Sequence, residues 1–374
     1  MGSKASVLSL TDPYASSHGG TIRTRALIRS LENSGLDTAV LTPSMSQRNP
    51  NRSGPAGVAS EELRPYARLG RLAGTVSSLK RRFLPMPTEA GARSAHLRDQ
   101  VLERSADLIL VSIIAHRQYA QLVSSVVWQD YMDLWGHFGK REARNRSGLP
   151  RLTAQAQARI IEKREIRAAR AADIVTVTGW KDWEFLSQYS EANWLPTPLP
   201  DESFRTVDRV GTADQVAGFI GNFEYWPNRD AYRMLLDYWL PALRSKGWRI
   251  VVAGHHTEVL GTPPAGVTLM GSVDDVNDFY RQLNLSLAPI RLGGGMKVKV
   301  LESLARGIPV AGTSEALEGF SPEVKSLCIE WGESVDLRQL EDVHLIDPTS
   351  SALDPYRQSS FERTVEEILN GKFK

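Results

Sequence analysis

The chain has 374 residues, 41% of them hydrophobic and 24% charged, with 45 Lys or Arg set against 43 Asp or Glu. That length exceeds the roughly 250–300 residues at which a single core stops growing, so two domains are expected. A net charge of +2 argues against a dedicated nucleic-acid binder, and the single cysteine, Cys328, excludes an internal disulfide and any cysteine-built metal cluster.

Apolar runs alternate with helical patterns from the start. Residues 7–11 read as a strand, 12–20 (DPYASSHGG) as a loop, 21–33 as a helix stopping at Gly35, and 37–42 as a second strand. This is the opening βαβ of a doubly wound sheet, whose ligands bind beyond the carboxyl ends of its strands. From Met45 to Arg104 eleven basic residues stand against five acidic ones. Within that stretch the apolar residues from Leu63 to Phe83 recur at three- and four-residue spacing among arginines. The pattern predicts a basic amphipathic helix, either packed on its own domain or lying on an anionic membrane surface. Strands follow at 106–113 and 122–128, then a long charged helix at 153–172, a strand at 173–178 (DIVTVT) and a helix from 180 to about 189. Residues 193–200 (NWLPTPLP) hold three prolines and read as the linker, so the expected units are 1–198 and 199–354.

The second unit restarts the pattern with a strand at 216–221, a helix at 227–246 with proline in its first turn, and strands at 248–254 and 267–270. A short helix at 274–283 precedes APIRLGGGMKVKVLESLARGIPVAGT (residues 288–313), which reads as strand, glycine loop, helix and strand. Such alternation implies parallel sheets with helices on both faces. A last helix, within 355–374, is expected to fold back on the first unit.

The glycine loop carries the chemistry. Gly293, Gly294 and Gly295 are expected to reach φ > 0 and let a ligand approach the backbone. The helix behind them points its partly positive amino end at the same place. Lys297 and Lys299 add full charges, and Glu302 lies one turn inside. Amides, two cations and one carboxylate suit a diphosphate joined to a sugar diol, that is, a nucleotide sugar.

GNFEYWPNRDA (221–231), WRIVVAG (248–254), the glycine-loop segment and EALEG (315–319), in that order, closely resemble the GT-B glycosyltransferases of the family 4 type. In the first half the likeness rests on HGGT (18–21), DYMD (130–133) and DIVTVT. The resemblance implies two doubly wound Rossmann-like domains facing across a cleft, the first holding the acceptor and the second the nucleotide-sugar donor. It also implies transfer to a glycan, lipid-linked or other hydroxyl acceptor, with retention of configuration and no cofactor besides the donor itself. By this resemblance Glu302 grips the ribose hydroxyls. Lys299, with Arg291 or Lys297, neutralises the diphosphate, Gly19 and Gly20 bring amides to the phosphates or sugar, and the loop from Gly293 to Met296 completes the donor site. Asn222 and Arg229 stand where the family has an Arg and Lys pair. The family often has a second glutamate eight positions before Glu302; here that position is Gly294.

Retention lets the departing phosphate take the acceptor proton, whereas inversion needs a general base. Asp133, which matches an acidic position of the family, is the first candidate, followed by His18 and His116, with Asp130 close by. No two aspartates are separated by one residue, so fixed cations and helix amides, rather than a metal, are expected to stabilise the leaving group. HGGT in place of G-x-G-x-x-G opposes a dehydrogenase, while a nucleotide-sugar epimerase and a non-catalytic sugar-binding protein stay open as alternatives. Trp128, Tyr131, Trp135, Tyr225 and Trp226 fall near the expected cleft loops, as sugar platforms or as packing. The lone cysteine, the absence of an 18-residue apolar run and the lack of a signal-peptide pattern read as a cytoplasmic protein, peripheral on the inner membrane face if Leu63 to Phe83 docks there.

Overall fold

The computed structural model describes residues 3–9, 12–14, 19–43, 94–144, 146–208, 215–341 and 344–373. The candidate base His18 and the basic segment from Leu63 to Phe83 lie outside these residues.

In the first half β1 (Lys4–Leu8), β2 (Asp37–Leu41), β3 (Leu108–Val111), β4 (Val126–Tyr131), β5 (Ile174–Val177) and β6 (Asn193–Trp194) form a parallel sheet in the order β2-β1-β3-β4-β5-β6. In the second, β7 (Val216–Ile220), β8 (Arg249–Ala253), β9 (Val267–Gly271), β10 (Leu285–Ala288), β11 (Val310–Gly312) and β12 (Ile329–Glu330) form another, ordered β12-β11-β10-β7-β8-β9. Helices of five residues or more are numbered in chain order. The first half carries α1 (Gly19–Asn33), α2 (Ala95–Arg104), α3 (Trp135–Arg144), α4 (Gly148–Arg170) and α5 (Trp180–Leu186). The second carries α6 (Trp226–Met234), α7 (Leu240–Ser245), α8 (Val276–Tyr280) and α9 (Val298–Ala305), and α10 (Gln358–Lys372) ends the fold. Two doubly wound α/β units, as expected, make a two-domain GT-B architecture.

The central strands are apolar on both faces because helices cover both; β3 and β5 are buried along their whole length. Phe219, Leu285, Leu287, Val300 and Leu304 pack in the second core. Phe361, Val365 and Leu369 of α10 join Ala26, Leu27 and Leu31 of α1 in the first core, so the chain's last helix closes the first unit.

Three local departures from the expected elements have physical causes. The proline-rich linker opens with an edge strand, Asn193 and Trp194 pairing with Thr176 and Val177, because both residues precede the first proline and keep their N–H donors. The helix expected over 227–246 is divided by a π-helical turn, Leu235–Trp239. Pro241 has no N–H to return to the preceding turn, and its ring pushes that turn open. α2 lies at the end of the basic stretch, where no element was expected; Leu97 and Val101 bury one side of it and Ser94 caps it, its hydroxyl accepting from the Leu97 amide.

Candidate active site

Chain order reverses between β7 and β10, so the loops leaving their carboxyl ends diverge and open a crevice where sheets of this kind bind ligands. The loop after β10 is the glycine run. Gly293 and Gly295 take φ of +115° and +58°, but Gly294 does not. The glycine at 294 answers to a different need, close approach of the other domain. A Cβ at Gly294 would lie 3.0 Å from the Asp133 Cβ, and one at Gly295 would lie 2.0 Å from Asp133 Oδ1. Two of the three expected left-handed glycines are present, and the third makes room for a carboxylate from the first domain.

The charged groups of α9 are held in a sparse, covered setting. Lys297 Nζ donates to the Gly294 carbonyl and, at 3.3 Å, to that of Gly295, folding the loop onto its own lysine. Lys299 Nζ sits 4.7 Å from the centre of the Phe219 ring and donates to Asn228 Oδ1 at 3.1 Å. Burial pushes the Lys297 ammonium down to about 8 against the pull of Asp133, and Lys299 down to about 7 against that of Glu302. Glu302 Oε2 accepts from the Tyr280 hydroxyl at 3.1 Å; burial raises its carboxyl, with Arg306 opposing. An anion arriving here would meet amines that its own charge converts to full cations.

Asp133 follows β4 and has no hydrogen bond among the described residues. Burial raises its carboxyl, Lys297 and Arg141 lower it, and Asp182 raises it further. Its backbone is clamped by the segment that follows. The Leu134 amide donates to Asp182 Oδ2 at 3.2 Å, while those of Trp135 and Gly136 donate to Glu165 at 2.7 and 3.1 Å. Three amides at the start of α3 are thus capped by carboxylates from α4 and α5. His137 Nδ1 lies 2.9 Å from Asp182 Oδ1, and burial pushes the Glu165 carboxyl up to about 8. From the second domain Tyr225 faces Asp133; burial first, and then that carboxylate, raises its hydroxyl. The domains also meet where the Trp180 amide donates to the Gly319 carbonyl at 3.0 Å, and where Arg141 and Lys181 both pair with Glu318.

The other sequence candidates fall elsewhere. Asp130 is sealed in the first core: Arg23 Nε and Nη2 grip it at 2.9 and 2.5 Å, the Thr176 hydroxyl donates to it at 2.6 Å, and Arg23 also reaches the Leu195 carbonyl. His116 is fully buried beside Tyr119, and burial holds it neutral, pushed down to about 4. Arg291 is committed to Asp230 through two bonds, of 2.9 and 3.3 Å. Asn222 turns its side chain back to the Glu224 amide, and Met296 packs into the second core. Trp128 and Tyr131 are buried, whereas Tyr225 and Trp226 are exposed. Gly19 heads α1, where a Cβ would lie 3.1 Å from Val298 Cγ2, so the amino ends of α1 and α9 meet; the Gly20 carbonyl accepts from the Thr24 hydroxyl.

Several site residues escape a reading of the sequence. Asn228 links the Asn222 carbonyl, at 2.7 Å, to the Lys299 ammonium; its only signal was its place as the last residue of GNFEYWPN. Tyr280 supports Glu302 from a helix 22 positions away in sequence and carries no local mark. Gly254 takes φ of +125°, and a Cβ there would come within 1.9 Å of the Gly221 carbonyl, so WRIVVAG ends in glycine to let two strand ends of the crevice touch.

Residues 214–337, a third of the chain, match the family described as Glycosyl transferases group 1. No curated protein matches this sequence. Among solved structures, HepE from Anabaena in complex with UDP-glucose superposes with a TM-score of 0.59 at 13% identity, covering 98% of this chain and 99% of that one. A glycosyltransferase from Rickettsia africae gives 0.59 at 9% identity over 100% and 99%. UDP-GlcNAc 2-epimerase from Methanocaldococcus jannaschii, in complex with UDP-GlcNAc and UDP, gives 0.53 at 11% identity over 98% and 99%. Likeness at these identities speaks for the GT-B fold, while the family match places a glycosyltransferase group 1 domain around β7–β12.

Proposed function

We propose that this GT-B chain, with its glycosyltransferase group 1 domain, moves a sugar from a nucleoside-diphosphate sugar to a hydroxyl acceptor, a glycan or a lipid-linked one. The observation that carries the reading is the convergence at one crevice of the Gly293–Gly295 backbone, Lys297, Lys299 and Glu302, faced by Asp133 from the opposite domain. The complexes of HepE with UDP-glucose and of the epimerase with UDP-GlcNAc support a uridine nucleotide as the first donor to try.

In this reading Glu302, held by Tyr280, accepts from the ribose hydroxyls, a charge-assisted pairing. Lys299 and Lys297 stabilise the charge that gathers on the departing diphosphate, so metal is dispensable. With retention, the leaving phosphate takes the acceptor proton, and Asp133 orients the sugar from across the cleft. A second reading is favoured by the same carboxylate. Asp133 has no hydrogen-bond partner among the described residues and its carboxyl is raised by burial, which suits a general base in an inverting transfer.

The test incubates the protein with UDP-glucose, UDP-GlcNAc and their GDP counterparts, with and without simple glycoside acceptors, and follows the product by NMR. Donor should be consumed only when acceptor is present, equally with and without EDTA, giving a product of retained anomeric configuration. An inverted product that disappears in Asp133→Asn would select the second reading. A strict manganese or magnesium requirement would overturn the metal-free mechanism, and epimerisation of donor without acceptor would overturn transfer itself.

A further inference from the structure

The α3–α4 hairpin carries a surface that the crevice does not use. Its two helices are locked together by small residues: a Cβ at Gly136 would lie 2.7 Å from the Glu162 Cβ, and one at Gly139 lies 3.1 Å from that of Ala158. α4 buries Ala158, Glu165, Ala168 and Ala169 and turns its opposite face to solvent. On that outer face Leu149, Leu152, Ala156 and Ile160 follow at steps of three and four, which places them on one stripe. Leu149 is 72% exposed, Leu152 62% and Ile160 47%, large values for side chains that ordinarily seek cover. The stripe continues into Arg159, Lys163 and Arg167, which form no ion pair among the described residues.

Charge is concentrated here. Between Lys140 and Arg170 there are ten Lys or Arg against three Glu, a surplus of seven in a chain whose net charge is +2. The three glutamates are themselves spent: Glu165 is buried on backbone amides, Glu162 pairs with Lys140, and Glu142 pairs with Arg146. No helix among the described residues is long and apolar enough to cross a membrane, so any bilayer contact these residues make is peripheral.

We infer that the α3–α4 hairpin is a membrane-docking surface, with Leu149, Leu152 and Ile160 entering the headgroup region of an anionic bilayer and Arg159, Lys163 and Arg167 lying on its phosphates. Apolar side chains at the tip of a helix followed by a basic flank match the two components of interfacial binding, burial and attraction to negative lipid. A protein partner would meet the leucines but has no need of so large a positive field, whereas an anionic bilayer satisfies both at once. The placement also relates to the crevice. α3 begins two residues after Asp133 and rises about 15 Å over its ten residues. A bilayer touching the hairpin tip therefore stands about one short helix away from that carboxylate, within reach of an acceptor whose lipid stays embedded. Docking itself does not rest on the proposed transfer and is measured without it.

Sedimentation of the full chain with phosphatidylcholine vesicles, with and without phosphatidylglycerol, tests the inference. The protein should pellet with the anionic vesicles, remain free with the neutral ones, and be released by raised salt. Leu149→Ser with Leu152→Ser, and separately Arg159→Glu with Lys163→Glu, should each lower the partition coefficient at least about tenfold while leaving the melting temperature in place. No pelleting, or equal pelleting on neutral vesicles, overturns the inference. So does pelleting that both double variants retain, which would move the contact to another segment such as Leu63 to Phe83. A solution dimer that the leucine variant splits, without vesicle binding, would assign the face to a second copy of the chain and also overturn it.

Discussion

The two halves of the molecule share a plan and use it in opposite ways. Each is a six-stranded parallel sheet with one reversal of strand order, between β1 and β3 in the first and between β7 and β10 in the second. At the second reversal the charged groups are loosely held: among the described residues the Lys299 ammonium has one hydrogen bond, and Lys297 leans on loop carbonyls. In the first half two of the candidate groups are instead sealed away from the crevice. Arg23 and Asp130 form a closed pair in the core, and His116 is buried and neutral. Asp133, three residues beyond Asp130, instead lies against the glycine loop of the second domain. The comparison teaches that proximity in sequence says little about role, because one turn of backbone separates a carboxylate that accepts three hydrogen bonds from one that accepts none among the described residues.

The sharpest way to break the comparison is to exchange the fates of these two aspartates. Asp130→Ala leaves the Arg23 guanidinium buried and unpaired, and should cost about 3–5 kcal/mol of stability in urea unfolding. Asp133→Ala removes a buried carboxylate with no hydrogen-bond partner among the described residues, and should change stability by less than about 1 kcal/mol while impairing activity. Equal losses of stability would mean that the two carboxylates are alike after all.

A smaller effect is expected where the halves touch. Gly295→Ala puts a methyl group on top of Asp133 Oδ1 at a residue with φ of +58°. The carboxylate must move, and in the proposed transfer a displacement of about 1 Å at the group that orients the sugar costs on the order of a hundredfold in turnover. Comparison of kcat with KM for the donor separates this from a loss of affinity: kcat should fall and KM hold. An unchanged kcat would show that the closeness of Asp133 to the loop plays no part in turnover.

Much of the second half was readable from its sequence, because the features that matter there are local. A glycine run, two lysines and a glutamate fall within ten residues, and the helix that presents them starts at the same place. The first half resisted for a physical reason. What distinguishes Asp130 from Asp133 is Arg23, 107 positions earlier, and what positions Asp133 is Glu165 and Asp182, about thirty to fifty positions later. Nothing near DYMD announces either. Gly294 shows the same limit: the sequence displays a residue without a side chain, but the reason for it lies on the other domain. The π turn in the helix after β7 was signalled by Pro241, yet whether a proline bends, ends or widens a helix depends on packing around it.

The mildest test varies pH before any residue and bears on the loose half alone. A lysine ordinarily titrates near 10.5, and burial brings Lys299 down to about 7, so without ligand it is half neutral at that pH. A bound diphosphate favours the ammonium and raises its pKa, so binding above pH 7 must take up a proton. The sign follows: affinity for a nucleotide sugar, whose diphosphate stays fully ionised in this range, should be steady below pH 7 and weaken as pH rises. The decline approaches about tenfold per pH unit for one lysine, and steepens past the value of about 8 at which Lys297 also loses its proton. Calorimetric titration of UDP-glucose from pH 6 to 8.5, repeated in buffers of different ionisation enthalpy, reads both the affinity and the proton uptake. Lys299→Met should weaken binding at pH 6 and erase the inflection near 7 while keeping the one near 8. Affinity that stays flat from pH 6 to 8.5 would show that Lys299 does not bear on the diphosphate, and would leave the amino end of α9 and the Gly293–Gly295 backbone to hold the anion by their amides.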